Sequence, residues 1–282
     1  MAIGVTMRET AKMKSPSTLR VRPPLASVWQ RALDTLFPPR CGGCGQFSHP
    51  VFCERCAPQL RPIIEPCCAN CGRTFDPLAL GAEICALCRA RPPAFEKARA
   101  CWAFEGPPRP AIHRFKYNRR FAMAPRLARA MMQTPAARVL LGDWQPQCLV
   151  PVALHASRAR ARGFNQSALL ARELGLLCDV PALDLLERTR RTPPQVGLDL
   201  KARRQNVRDA FIVDEALWQS ANLVGARILL IDDVFTTGAT LDECARVLRK
   251  AGAGAVGALT VARQQRPDEP LPKEKTFEVI WG

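Results

Sequence analysis

The chain has 282 residues, a formal net charge of +16, and 48% hydrophobic and 23% charged residues; these proportions are ordinary for a globular α/β domain with room for a smaller module. No apolar run approaches the ~20 residues of a membrane span, and the basic opening stretch lacks the apolar segment of a secretory signal, so the expectation is a cytoplasmic protein with no membrane span. The positive charge favours anionic partners, nucleic acid or phosphorylated small molecules, and the odd count of 13 cysteines reads as metal ligands rather than a disulfide framework.

Four stretches separate by composition. Residues 1–37 are basic and read as a flexible start, with Met7 and Met13 as other candidate starts. Residues 38–94 hold nine of the cysteines, much Pro and Gly, and little periodicity. Residues 95–263 alternate strand and helix patterns, and 264–282 form a polar, Pro-broken tail. In the third stretch, Ala100 to Phe104 reads as a strand, and Arg109 to Tyr117 and Pro125 to Met132 as helices. Cys148 to Val152 is a short apolar strand, and Asn165 to Leu174 has helical spacing of its apolar residues. Leu185 to Glu187 and Phe211 to Val213 read as short strands around a basic, irregular stretch. Ile228 to Ile231 is a buried strand, Leu241 to Ala251 a helix, and Ala255 to Val261 a closing strand. Strands alternating with helices predict a mainly parallel sheet.

Four C-x2-C pairs punctuate the second stretch: Cys41 and Cys44, Cys53 and Cys56, Cys68 and Cys71, Cys85 and Cys88. Two residues between thiolates let both sulfurs reach one tetrahedral ion from a tight knuckle. Cys41-Gly-Gly-Cys44-Gly45 resembles Cys68-Ala-Asn-Cys71-Gly72, and each is followed by a pair without the trailing Gly. The repeat assigns one structural zinc to Cys41, Cys44, Cys53 and Cys56, and a second to Cys68, Cys71, Cys85 and Cys88. Four thiolates close a zinc site to water, and a short Pro-rich segment needs that metal in order to fold. Cys67 could replace Cys68, but only Cys68 keeps the spacing to Cys71; His49 is read as outside the sets. Cys101, Cys148, Cys178 and Cys244 stand alone among apolar residues and read as core.

The stretch from Ile228 to Leu241 opens with four apolar residues, followed by the pair Asp232 and Asp233, then Val234 and Phe235, and then Thr236-Thr237-Gly238-Ala239-Thr240. A strand, a small hydroxyl-rich loop and a helix in this order place ligands at the strand's carboxyl end. Backbone N–H groups of the loop can cradle a phosphate, Gly238 permits close approach, and the two carboxylates can accept hydrogen bonds from ribose hydroxyls. The pair ends the strand and is expected to face solvent or ligand. A Walker A pattern is absent.

The stretch resembles the signature of the type I phosphoribosyltransferases, which bind 5-phosphoribosyl 1-diphosphate with magnesium. His113-Arg-Phe-Lys116-Tyr117, Val150-Pro151-Val-Ala-Leu-His155 and Arg162-Gly163-Phe164-Asn165-Gln166 narrow the resemblance to the ComF family, and Arg188, Gln195, Arg204, Asn206 and Ala210-Phe211 follow with familiar spacing. It spans roughly Pro38 to Ala262. One departure is Ala153, where the family often has a second Pro. The resemblance implies that Asp232 and Asp233 hold the ribose hydroxyls and Thr236, Thr237, Gly238, Ala239 and Thr240 the 5-phosphate. It implies that the loop at Val152 and Ala153 meets the diphosphate. It further implies that Arg188 to Asn206 is a mobile catalytic loop, with Lys116, Arg188 and Arg204 as catalytic cations.

A domain of this kind would displace diphosphate from C1 of the sugar by a nitrogen nucleophile, with magnesium on the leaving group. The competence association of ComF proteins gives a rival expectation. In it the zinc ribbons and basic surface bind single-stranded DNA, or proteins of the DNA-uptake machinery. Trp102, Phe115, Tyr117 and Phe121 lie among basic residues and offer candidate stacking groups.

Overall fold

The computed structural model describes residues 38–75, 83–117, 121–190 and 200–265. The basic stretch 1–37, Arg191, Gln195 and most of the tail lie outside the described residues, as do the side chains of Arg203 and Arg204. The chain then runs α1 (Ala86–Ala90), β1 (Lys97–Ala103), α2 (Pro108–Tyr117), α3 (Met123–Met132), β2 (Cys148–Pro151), α4 (Ala156–Arg162) and α5 (Gln166–Cys178). It continues through β3 (Leu186–Arg188), α6 (Leu200–Val207), β4 (Phe211–Val213), α7 (Glu215–Ser220), β5 (Arg227–Phe235), α8 (Ala239–Lys250) and β6 (Ala255–Arg263).

Four strands form a parallel sheet in the order β1-β6-β5-β2. A small antiparallel pair, β3 with β4, stands apart. Because strand side chains alternate, Ile228 and Leu230 of β5 enter one hydrophobic cluster and Leu229 and Ile231 enter another. The first cluster is covered by α8 through Leu241, Cys244, Ala245 and Leu248. The second is covered by α2, α3 and α5, with Ile112, Phe115, Leu127, Met131, Leu170 and Leu174 fully buried. Burial of a side chain of that size contributes roughly 1.5 to 3 kcal/mol.

The cysteine-rich segment is built into both layers. Cys41 and Cys56 belong to the α2–α3 side, and Cys68, Cys71, Cys85 and Cys88 to the α8 side. The two ribbons therefore flank opposite faces of the sheet at its β1 edge. The link between them covers that edge: Ile63 N–H donates to the Cys101 carbonyl at 3.2 Å and Ala103 N–H to the Arg61 carbonyl at 2.8 Å. An exposed edge strand is thereby paired within the chain.

The stretch read as irregular holds the helix α6, and the sequence pattern does not anticipate α7; two other elements differ from expectation for visible reasons. Strand β5 extends to Phe235, so Asp232 and Asp233 sit within it, with Asp232 paired to Thr260 of β6. Helix α4 has no buried residue, so it carries no apolar stripe from which a helix could be read.

Candidate functional site

The two cysteine repeats match bond for bond. In the first, Gly45 N–H donates to the Cys41 carbonyl at 3.0 Å and Cys53 N–H to Cys41 Sγ at 3.3 Å. In the second, Gly72 N–H donates to the Cys68 carbonyl at 2.9 Å and Cys85 N–H to Cys68 Sγ at 3.3 Å. Gly45 and Gly72 take φ values of 83° and 68°, the left-handed turn under the metal position that glycine adopts without strain. Within each set the four Sγ atoms lie within 4.8 Å of one another. Cys44 to Cys53 is 3.6 Å and Cys71 to Cys85 is 3.7 Å. Thiolates about 2.3 Å from a tetrahedral zinc would stand about 3.8 Å apart, so both tetrads fit a structural zinc. The backbone N–H of Gln46 is the main force that lowers the Cys44 thiol to about 6. Cys68 is held well below the ordinary thiol value, first by hydrogen bonds from Cys71 and Cys88. Cys67 lies outside the tetrad, its backbone bridged to Thr74, and burial pushes its thiol up. His49 is outside as well; its carbonyl accepts from Arg126.

Arginines fasten the ribbons to the sheet domain. Arg114 donates to the carbonyls of Gly42 and Gly43, and Arg126 to those of Arg40, Ser48, His49 and Pro50. Arg99 donates to the carbonyls of Cys68 and Ala69, and Arg263 to that of Cys71 at 2.9 Å. The Arg263 guanidinium also lies 4.5 Å over the Phe235 ring. That ring supports Gly238, where an added Cβ would come within 2.7 Å of it and where φ is 80°. The second tetrad thus backs onto the loop between β5 and α8. A cavity of about 60 Å³ at this junction is lined by Arg73, Arg91, Arg263, Thr236, Thr237 and others, but not by Asp232 or Asp233.

On the loop, Thr236, Thr237 and Thr240 are half-buried and Gly238 and Ala239 buried. Ala239 opens α8, and Asp242 N–H already donates to the Gly238 carbonyl. The first N–H groups of a helix lack intrahelical acceptors; here the Ala239 N–H donates to Thr237 Oγ1 at 3.4 Å, a long bond within the loop.

The two carboxylates take different surroundings because strand alternation sends them to opposite faces. Asp233 is only 5% exposed rather than solvent-facing. Lys116 Nζ is 2.8 Å from its Oδ1, and Gln166 Nε2 donates to its Oδ2 at 2.7 Å. Asp232 is half-buried; its Oδ1 accepts from Ser167 Oγ at 3.0 Å and from the Asp233 N–H at 2.8 Å. Desolvation, with the Asp233 charge adding to it, pushes the Asp232 carboxyl up to about 7.

Gln166 and Ser167 are partners of the two carboxylates that the sequence did not single out by role. The run around them is a helix junction. Gly163 ends α4 in the left-handed conformation, and Asn165 caps α5 by accepting from Ser167 N–H at 3.0 Å. Asn165 Nδ2 also donates to the Val152 carbonyl at 3.0 Å, tying this junction to the loop after β2. Val152 and Ala153 are both buried there, and His155 caps α4. An Asn cap before Gln-Ser was the available signal.

Of the proposed catalytic cations, Lys116 and Arg188 lie on different elements, and Arg188 is close enough to feel the Asp232 charge. Lys116 is at the carboxylates. Arg188, on β3, is buried with its guanidinium 5.2 Å over the Phe211 ring, and desolvation, then the Arg158 charge, lowers its pKa. The backbone of Arg204 lies in α6. Of the candidate stacking groups, Trp102 and Phe115 are buried, whereas Tyr117 and Phe121 are 61% and 47% exposed. Among the described residues, no helix is long and apolar enough to cross a membrane.

The chain matches the double zinc ribbon domain over residues 32–89 and the phosphoribosyl transferase domain over residues 161–281. It is similar to competence protein F of Haemophilus influenzae, 32% identical over 228 residues, which are 79% of this chain and 95% of that protein. It is also similar to DNA utilization protein YhgH of Escherichia coli, 31% identical over 76% of this chain and 91% of that one. A solved glutamine phosphoribosylpyrophosphate amidotransferase of Bacillus subtilis shares 17% identity and a TM-score of 0.35 over 52% of this chain and 30% of that one. Identity at this level across most of both chains places the protein in the competence protein F (ComF) family, with a double zinc ribbon built onto a phosphoribosyltransferase-type α/β domain.

Proposed function

We propose that the protein binds 5-phosphoribosyl 1-diphosphate with magnesium at the end of β5 and transfers the phosphoribosyl group, in the cytoplasm, in support of DNA uptake or use. The observation that carries this is the pair Asp232 and Asp233, held by Ser167, Gln166 and Lys116 beside the N–H-rich loop that starts α8. Hard carboxylate oxygens suit both ribose hydroxyls and magnesium. Magnesium, held through Asp232 and Asp233 and the substrate, would neutralise charge on the leaving diphosphate. The chain's own part is to orient the ribose by its two carboxylates, to seat the 5-phosphate on Thr236 to Thr240, and to supply Lys116. The loop at Val152 and Ala153 would meet the diphosphate, and Arg188 and Arg204 would act as further cations on closure. Calorimetric titration of the zinc-loaded chain with 5-phosphoribosyl 1-diphosphate tests the reading. Micromolar binding that depends on magnesium is expected; no binding with magnesium present refutes it.

A second reading is favoured by the names of the relatives, which speak of competence and DNA utilization, and by the +16 charge. In it the ribbons and basic surface bind single-stranded DNA or uptake proteins without catalysis. Affinity for an oligodeoxythymidine should then fall linearly with salt on logarithmic axes, with little sequence preference. Absence of binding at low salt removes the direct form of this reading.

A further inference from the structure

The two cysteine repeats share a backbone pattern but differ at two informative side chains. The first knuckle of each closes with the same bond: Cys41 N–H donates to the Gln46 carbonyl and Cys68 N–H to the Arg73 carbonyl, both at 2.7 Å. Gln46 and Arg73 are therefore equivalent. Gln59 and Arg91 are equivalent too, each standing three residues past the last cysteine of its set. The first ribbon thus carries glutamine at both positions and the second carries arginine at both. The knuckle itself does not demand arginine, because the first one closes with glutamine.

What the second ribbon faces accounts for the difference. Arg73, Arg91 and Arg263 line the cavity of about 60 Å³ together with Thr236, Thr237 and Gly238 of the loop before α8. At ~15 Å³ for each water-sized atom, that room takes about four, the number of oxygens on one phosphate group. Among the described residues of the lining, Asp242 is the one acid, and its Oδ1 already accepts from Ala94 N–H at 2.7 Å. That bond ties the chain just beyond Arg91 to the first turn of α8. Arg263 serves the Cys71 carbonyl and the Phe235 ring, so the ligand-facing charge is assigned to Arg73, half-buried, and Arg91, exposed. The two halves of one cysteine tetrad place these cations: Arg73 follows the Cys68–Cys71 knuckle, and Arg91 ends the short helix that carries Cys88.

We propose that the second ribbon is one wall of the phosphate seat, with Arg73 and Arg91 binding the sugar 5-phosphate from the ribbon side. This rests on the reading above that Thr236 to Thr240 seat that phosphate. It makes the second ribbon part of the ligand site, whereas the first ribbon, with Gln46 and Gln59, is structural. Guanidinium forks match phosphate oxygens in geometry and charge. A sugar without the 5-phosphate leaves two like charges facing the same cavity, so the wall selects for the phosphorylated ligand.

The repeat supplies its own conservative variants. Arg73→Gln and Arg91→Gln install the residues that the first ribbon already uses, so both tetrads should still hold zinc, which metal analysis checks. Arg91, past the last cysteine, gives the second measurement should Arg73→Gln lose metal. Full-length, zinc-loaded protein is titrated calorimetrically with ribose 5-phosphate and, separately, with magnesium diphosphate, which has no sugar phosphate. Ribose 5-phosphate should bind about tenfold or more weakly to Arg73→Gln and several-fold more weakly to Arg91→Gln, while the diphosphate changes by less than about twofold. Arg55→Gln, which removes the same charge from the first ribbon, should change neither. An unchanged affinity for ribose 5-phosphate in the Arg73→Gln/Arg91→Gln double variant overturns the inference. So does an equal loss for the diphosphate or in Arg55→Gln, since either marks a general effect of charge. In those cases wild-type binding of 5-phosphoribosyl 1-diphosphate keeps the transfer reading. Arginine-dependent binding of ribose 5-phosphate without binding of the diphosphate sugar keeps the seat and removes the transfer, and wild type that binds neither removes both.

Discussion

Asp232→Asn and Asp233→Asn should shift stability in opposite directions at pH 8 while both weaken binding of the diphosphate sugar. The Asp232 carboxyl rises from 3.8 to about 7 in the fold, first through desolvation and then through the Asp233 charge. Between those values the folded state holds the extra proton, so this group's contribution is complete below about pH 4 and is lost as pH rises through 7. Asparagine at 232 never ionises, and its Oδ1 can still accept from Ser167 and from the Asp233 N–H. The variant should therefore gain on the order of 1 kcal/mol at pH 8 and far less at pH 5. Asparagine at 233 instead takes the counter-charge from Lys116 in a largely buried pair. A loss of about 2 kcal/mol follows, less than for a fully buried pair because Lys116 is partly exposed. On the proposed reading each variant loses a charge-assisted contact to the ribose, so affinity should fall roughly tenfold to a hundredfold. Wild-type binding should strengthen from pH 6 to 8 as Asp232 ionises. Urea unfolding at pH 5 and 8, with calorimetry on each variant, measures all of this. Equal destabilisation by both substitutions at pH 8 would show that Asp232 is not under strain, and unchanged affinity in the double variant would put the sugar elsewhere.

Cys68→Ser should disturb far more than its own ribbon. Cys68 belongs to the second tetrad, and its backbone carbonyl accepts from Arg99. Structural zinc contributes about 10 to 16 kcal/mol of apparent binding free energy in small ribbons, comparable to the ~5 to 15 kcal/mol stability of a whole domain. Because all four thiols of that site pack in the same cluster as Leu230, Leu241 and Leu248, their loss should loosen the α8 side of the sheet. Zinc should fall from two to one per chain by colourimetric release, with a drop in thermal midpoint of at least ten degrees, on the order expected for several kcal/mol. Cys67→Ser, outside the tetrad, should keep both ions and most of the stability. If Cys68→Ser proves insoluble, graded chelation of the wild type followed by circular dichroism gives the same answer. A cooperative transition confined to the ribbon, with the sheet signal intact, would contradict the coupling.

The parts of the fold legible in the sequence were those fixed by local chemistry. Four identical C-x2-C spacings with a glycine after alternate pairs state a doubled metal knuckle, and the structure repeats even its N–H to Sγ bonds. The apolar run Ile228 to Ile231, buried on both faces, states an interior parallel strand. What the sequence withheld depends on distant partners. Asp233 reads as exposed because a carboxylate after a strand usually is; only Lys116 and Gln166, brought in from two helices, make its burial tolerable. The side of the sheet each ribbon would take was equally unreadable, since it is decided by Arg99, Arg114, Arg126 and Arg263 reaching carbonyls far away in the chain.

The bond from Arg263 to the Cys71 carbonyl spans 192 positions, and β1 pairs in the sheet with β6, the last strand among the described residues. During synthesis the cysteines leave the ribosome first, and their anchoring guanidiniums follow one by one, Arg263 last. The second ribbon can therefore load metal early as a loose segment but cannot lock into place until residue 263 has emerged. A polypeptide cut short before that point would keep its thiolates yet lack both the strand that closes the sheet and the arginine that seals the knuckle. A chain that stops before residue 263 should therefore leave the second ribbon undocked and open to proteolysis.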